Sequence, residues 1–335
     1  MKIGPLDTKE KVLVIAEIGN NHEGRYTLAE EMIGLAAEAG ADVVKFQTII
    51  PERLVSLQQQ ERIHQLKKFQ LSYNEFGKLA KVAKNQNVIF LSTPFDIDSA
   101  MFLNELVPAY KVSSGDNDFF PLIEMIANTG KPIIMSTGLV NIGEVKKSVK
   151  FIKNIWDDQN IDQELALLHC VSSYPTPLEN ANLLAIRELE NIAGVVGYSD
   201  HTLGIDAAIL SIAVGARIIE KHFTIDNNYS DFHDHKLSAN PEDFKEMVEK
   251  IRLAEKTLGS GIKKPSPEEL ENRIKIRRSI VAKHDLSAGH IISIEDLDWV
   301  RPGDGIRPGE ENKVIGKTMK RAFMAGEKIE LEFIV

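Results

Sequence analysis

The chain has 335 residues, with 40 Lys and Arg against 49 Asp and Glu, nine His and one Cys. This length suggests two domains or one large barrel with an appendage, and 43% apolar with 27% charged residues excludes wholesale disorder. A single Cys170 excludes an internal disulfide and a CxxC-type zinc site, and a net charge of −9 argues against nucleic-acid binding, which needs a basic face.

The first residues, MKIGPLDTKE, show no apolar signal-peptide core. The longest apolar stretch, Ala207–Ala216, falls short of the roughly 18 residues of a membrane span. The expectation is a soluble cytoplasmic protein with no membrane partner. Eight short apolar runs then follow in order. They are Val12–Gly19, Val43–Gln47, Val88–Pro94 and Ala109–Ser114, then Pro132–Gly138, Leu165–Cys170, Val195–Asp200 and Arg217–Phe223. Near-continuous apolar runs of this length are the mark of parallel strands buried on both faces. Amphipathic stretches alternate with them, among them Thr27–Gly40, Asn74–Asn87 and Val145–Trp156. Thr27 with Glu30 reads as a helix capping box, and Gly40 as the glycine that ends the helix.

The runs recur about every 29 residues, the pitch of a (β/α)8 TIM barrel over residues 1–258. A doubly wound sheet is the rival, but no Gly-rich phosphate turn follows the first run. Residues 259–274, rich in Gly, Pro and charge, read as a linker. Short β-like runs occupy 275–335, with a weak repeat of Leu286–Ile292 in Phe323–Ile329 that suggests two arches around Ala-Gly turns.

In a barrel the active site forms at the C-terminal strand ends. Polar residues close every run here: Glu17, Lys45 and Gln47, Thr93, Lys111 with Ser114 and Asp116, Ser136, then Ser172 and Tyr174, Ser199 with His201, and Glu220 with Lys221 and His222. Lys45 and Lys111 lie inside apolar strands, where a lysine needs a partner. With the hydroxyls of residues 93, 114, 136 and 199 they suggest a cradle for phosphate or carboxylate. His201 and His222 follow adjacent strands, within reach of one divalent ion and with positions left for substrate oxygens. The Asp231–His235 cluster reads as a solvated loop, and Cys170 as a core filler without a base partner.

The ordered set AEIGNNHEG (16–24), VKFQT (44–48), STPFD (92–96), YKVSSGD (110–116), STG (136–138), LLHCVSSYPTP (167–177), YSDHT (198–202), EKHFT (220–224) and RPGDGI (301–306) closely resembles the sialic acid synthase family along essentially the whole chain. The resemblance implies a TIM barrel followed by an antifreeze-like (SAF, β-clip) domain. It also implies condensation of phosphoenolpyruvate with an N-acylated amino sugar, giving a nonulosonate and phosphate, with Mn2+ or Mg2+ as cofactor. At matching positions, Lys45, Lys111, Thr93, Ser114, Ser136 and Ser199 would hold phosphoenolpyruvate, and His201 and His222 the metal. Glu17 would transfer a proton with Asp234 assisting, and Gln47 and Tyr174 would touch the sugar. Arg301 would reach the N-acyl group from a partner chain in a domain-swapped homodimer.

The pattern departs from the family at Asp116, where Glu is frequent, at Ser172, where Asn is, and at Asp304. The Gly-Pro often found before Asp234 is Phe232-His233 here. These positions touch the sugar more than the cradle, so N-acetylmannosamine, its 6-phosphate and a diacetamido-trideoxy sugar all stay open. Two rival functions are a Schiff-base pyruvate aldolase using Lys45 or Lys111, and a carbohydrate-binding protein with a vestigial barrel.

Overall fold

The computed structural model describes residues 1–335, which divide into two units, Met1–Gly259 and Ser260–Val335. No helix is long and apolar enough to cross a membrane.

The first unit opens with an antiparallel hairpin, β1 (Lys2–Ile3) and β2 (Leu6–Asp7), that the residue pattern did not announce. The eight expected strands follow, each within a residue or three of its expected bounds. They are β3 (Leu13–Gly19), β4 (Val43–Thr48), β5 (Ile89–Pro94), β6 (Tyr110–Val112), β7 (Ile133–Ser136), β8 (Leu165–Cys170), β9 (Val195–Asp200) and β10 (Ile218–His222). All pair in parallel in the order β5-β4-β3-β10-β9-β8-β7-β6. β5 and β6 lie side by side and close the ring without a ladder of hydrogen bonds. The result is a TIM-like barrel.

Strand composition explains the closure. β3 and β10 are buried along their whole length, between the ring interior and the outer helices. A side chain at Gly197 could not be accommodated, because a Cβ there would lie 2.2 Å from the Ile218 carbonyl oxygen and 2.5 Å from Leu168 Cδ2. The N-terminal hairpin seals the bottom. Arg217, just before β10, donates to the Thr8 carbonyl (2.8 Å), and the Met1 ammonium lies 3.2 Å from Glu164, just before β8. Only the C-terminal rim is left open.

Around the ring, helices Tyr73–Asn85 and Ile142–Asp158 start at reciprocal capping boxes, Ser72 with Glu75 and Asn141 with Glu144. The box expected at Thr27 does not form. Successive turns, Glu23 N–H to Asn20 O and Arg25 N–H to His22 O (both 2.9 Å), feed the chain directly into helix Tyr26–Glu38, so Thr27 lies inside its first turn. Gly40, at φ +90°, does end that helix.

In the second unit, the segment read as a linker contains a helix, Pro267–Ile276, capped by Ser266 with Glu269. Beyond it, β11 (Ser279–Ala282) pairs antiparallel with β12 (Leu297–Val300) over a small core that includes Ile280, Leu286, Met319 and Phe323. The weak repeat has a structural counterpart. Its two first residues, Leu286 and Phe323, exchange both backbone hydrogen bonds at 2.9 Å, and the glycines of both Ala-Gly turns take φ +82°.

Candidate active site

Alternate residues of each barrel strand point into the ring. Glu17, Lys45, Thr93, Lys111, Ser136, Ser199 and Glu220 all have the inward parity, and all line one cavity of about 320 Å³ at the C-terminal ends of the strands. The strand register sets them side by side: Glu17 opposite Lys45, Gln47 opposite Thr93, and Glu220 opposite Ser199. A bulge in β3 between Glu17 and Gly19 re-aims the rim, and Gly19 takes φ +54° there.

The floor of the cavity is a closed charge network. Lys45 Nζ lies 2.7 Å from Glu17 and 3.5 Å from Glu220, and donates to Thr93 Oγ1 at 3.0 Å. Lys111 Nζ lies 4.0 Å from Glu220, and donates to Ser136 Oγ (2.7 Å) and to the Val112 carbonyl (3.1 Å). Ser199 donates to Glu220 at 2.9 Å, and Gln47 to Glu17 at 3.2 Å. Both lysines are 3% exposed, so each charge depends on its partners rather than on water. Glu220, which joins the two lysines, was expected at the rim but without a role in the site. The signal was present: a glutamate at an inward position of an otherwise apolar run, beside a strand that carries the Ser199 hydroxyl.

The two carboxylates have different environments. Burial opposes ionisation of Glu220, but the Lys111 and Lys45 ammonium groups outweigh it and hold the carboxyl down at about 2. Burial raises Glu17, Lys45 pulls against the rise and the charge of Glu220 adds to it, leaving this group at about 7. One carboxylate is a fixed anion, and the other is poised to exchange a proton near neutrality. The amines diverge too. Burial depresses Lys111, whereas for Lys45 burial loses to Glu17 and Glu220 and the amine is raised.

Above the floor, the His201 and His222 ring centroids stand 5.4 Å apart, with the Tyr174 ring tilted against His201 at 4.2 Å. The Val171 carbonyl can only accept, so His201 donates from Nδ1 to it (2.9 Å) and keeps its Nε2 lone pair free. His222 Nδ1 is buried without a hydrogen-bond partner, and Asp234 Oδ2 is 3.9 Å away. Burial, reinforced by His201, holds His222 well below the usual imidazole range, in the neutral form a metal ligand needs. No third His, Cys, Asp or Glu joins them. These residues fit an open site in which substrate oxygens and water complete the shell of a divalent ion. Behind them, on the outer face of the ring, a buried Lys221–Asp200 pair (2.9 Å) ties β9 to β10, and Lys221 also donates to the Thr202 carbonyl (2.6 Å).

Two expectations need correction. The Asp231–His235 cluster is not a solvated loop: Asp234 and His235 are buried on a short helix, His233–Leu237. His235 is pinned there by Thr224 Oγ1 (2.6 Å) and Glu23 (3.2 Å). Cys170 is not merely filler, since it lines the cavity with its sulfur 3.7 Å from His201 Nδ1. The cradle lysines have the partners that their burial requires, since both are tied to glutamates.

Of the other expected residues, Gln47, Ser114, Ser172 and Tyr174 line the cavity. Asp116 stands outside its wall and accepts a hydrogen bond from Ser113 (2.5 Å). Arg301 is exposed on the second unit.

Comparison with known proteins converges on one group. A family model described as NeuB family matches residues 32–263, and one described as SAF domain matches residues 277–334. The N,N'-diacetyllegionaminic acid synthase of Campylobacter jejuni is 39% identical over 336 residues, covering 96% of this chain and 99% of its own. The N-acetylneuraminate-9-phosphate synthase of Homo sapiens is 32% identical over 91% of this chain and 87% of its own. A crystal structure of the N-acetylneuraminic acid synthetase of Leptospira borgpetersenii, in complex with citrate, matches with a TM-score of 0.76 and 34% identity, covering 81% of this chain and 94% of that one. The chain therefore belongs to the NeuB family of synthases, and its second unit carries a SAF domain.

Proposed function

We propose that this enzyme condenses phosphoenolpyruvate with an N-acylated amino sugar to give a nonulosonate and inorganic phosphate. The observation that carries this reading is the sharing of one cavity by two buried ammonium groups, a ring of hydroxyls, a carboxyl poised at about 7 and a pair of imidazoles, of which His222 is held neutral. Lys45 and Lys111, with Thr93, Ser114, Ser136 and Ser199, hold the phosphate and carboxylate of phosphoenolpyruvate. C3 of its enol bonds to the aldehyde carbon of the open-chain sugar. Asp234, whose carboxyl burial raises despite His233 and His201 nearby, protonates the oxygen that develops there. Water adds at C2 as Glu17 removes its proton, and the C–O bond to phosphate then breaks.

His201 and His222 would hold Mn2+ or Mg2+, which supplies Lewis acidity toward the aldehyde oxygen when bound. Gln47, Ser172 and Tyr174 face the sugar, with Asp116 at the edge. Arg301 is proposed to meet the N-acyl group from the partner of a domain-swapped homodimer. A cytoplasmic setting suits a phosphoenolpyruvate-consuming enzyme with one free thiol.

Glu17 sets the pH response. As the base that takes a proton from water it must be ionised, so turnover rises with pH through about 7 and levels off above it. Glu17→Gln is expected to abolish that limb and lower kcat about 10²–10⁴-fold, which a pH–rate profile of both proteins checks.

The function itself is tested by offering phosphoenolpyruvate, Mn2+ and a panel of amino sugars, and identifying the product by mass spectrometry. A nonulosonate carrying the acceptor's acyl groups is the expected result. A second reading draws on the burial-depressed amine of Lys111, which suits a Schiff base with pyruvate. Borohydride trapping of pyruvate on Lys111 would favour it over the condensation.

A further inference from the structure

The helix that carries Asp234, His233–Leu237, has five residues and no side-chain cap at its start. So short a helix is not stable by itself, and its position is set by what holds it. That position matters at the rim. Asp234 Oδ2 lies 3.9 Å from His222 Nδ1, an atom without a hydrogen-bond partner, and Oδ1 lies 2.9 Å from His233 Nε2. A small rotation of the helix would turn the carboxyl away from His222.

The turn after β3 holds the helix in two places. Glu23 accepts from His235 Nε2 (3.2 Å) and from Ser230 Oγ, while Thr224 Oγ1 meets the other ring nitrogen of His235 at 2.6 Å. Asn21 donates to Ser238 Oγ (2.9 Å), and Ser238 donates in turn to the Asp234 carbonyl (2.6 Å). Glu23 takes φ +48° to do this, a backbone conformation that strains a residue with a side chain. At the next residue, Gly24, a Cβ would lie 2.1 Å from the Lys68 carbonyl oxygen, so that carbonyl presses on the turn and fixes it. Glu23 itself does not line the catalytic cavity. Strain held at a residue that touches no substrate is explained by what the residue holds in place.

We propose that Glu23 is a positioning residue for the condensation: through His235 it fixes the helix so that the Asp234 carboxyl stays beside His222. The inference rests on the condensation reading above, in which Asp234 protonates the aldehyde oxygen. A reacting group displaced by about 1 Å can lose about 10²-fold in rate. A contact one residue along the chain from Asp234 can therefore set kcat without meeting the substrate.

The test is a double-mutant cycle between Glu23 and Asp234, read as kcat and as the KM for phosphoenolpyruvate. Mn2+ is present, and N-acetylmannosamine and a diacetamido-trideoxy sugar are each offered as acceptor. Glu23→Ala is expected to lower kcat about 10–10²-fold and to leave the KM for phosphoenolpyruvate unchanged, because the lysine cradle is untouched. Glu23→Asp should lose kcat similarly, since its carboxylate falls one methylene short of His235. Aspartate tolerates this φ better than glutamate, so that variant keeps the fold and carries the cycle if the alanine variant does not. Glu23→Gln keeps an acceptor oxygen for His235 and should recover most of the rate. In an Asp234→Asn background, the Glu23 substitutions should cost no more than about twofold, the margin within which independent effects are measured. Full-speed Glu23→Ala and Glu23→Asp variants, or an equal fractional loss in both backgrounds, would overturn the positioning role and leave the condensation standing. No turnover of phosphoenolpyruvate with either sugar, or Asp234→Asn as fast as the wild type, would overturn the reading beneath it.

Discussion

Glu220→Gln is expected to destabilise the protein by about 3–5 kcal/mol, the cost of leaving buried charges without their counter-ion. Glu220 is 6% exposed and lies within 4.0 Å of both lysine amines, so the variant strands Lys111 with only Ser136 and a carbonyl for partners. The loss should not be uniform across conditions. Phosphoenolpyruvate brings its own negative charge to the same amines, so its addition should raise the variant's Tm by more than it raises that of the wild type. Turnover should fall by about 10²–10³-fold, as it does when a preorganised electrostatic group is removed. Chemical denaturation with and without phosphoenolpyruvate measures both effects. A variant of unchanged stability would show that the two amines do not depend on Glu220.

His201→Ala and His222→Ala should each remove most divalent-ion binding, because only two protein side chains are available to hold the ion. Without its Lewis acid the condensation should slow by about 10³-fold, corresponding to several kcal/mol of transition-state stabilisation. Mn2+ titration followed by electron paramagnetic resonance reads the loss of binding without relying on turnover. Phosphoenolpyruvate binding should persist in both variants, since the amines and hydroxyls on the floor are separate from the rings. Undiminished Mn2+ affinity in either variant would remove the imidazoles from the proposed metal site.

The barrel was legible because buried parallel strands leave apolar runs with regular spacing, and the inward parity of each strand then nominates its rim. Lys45, Thr93, Lys111, Ser136, Ser199, His201 and His222 could be picked out in that way, and all seven line one cavity. What parity cannot show is which charges meet across the ring. Glu17 and Lys45 are neighbours only because β3 and β4 pair in one register, and Glu220 joins Lys45 to Lys111 from two strands further round. Polar clusters were misread for a related reason. Asp234 and His235 look like solvated loop residues until Thr224 and Glu23, the latter more than 200 positions away in the chain, bury and bind His235. The N-terminal hairpin escaped because strands of two residues leave no periodicity to detect.

The direct test of the whole account is phosphate release from phosphoenolpyruvate, followed with and without an amino-sugar acceptor and with and without a chelator. Release only when acceptor and divalent ion are both present is the predicted result. Release that continues without acceptor, or that ignores the chelator, would contradict the joining of an anion cradle and an imidazole pair in one reaction chamber.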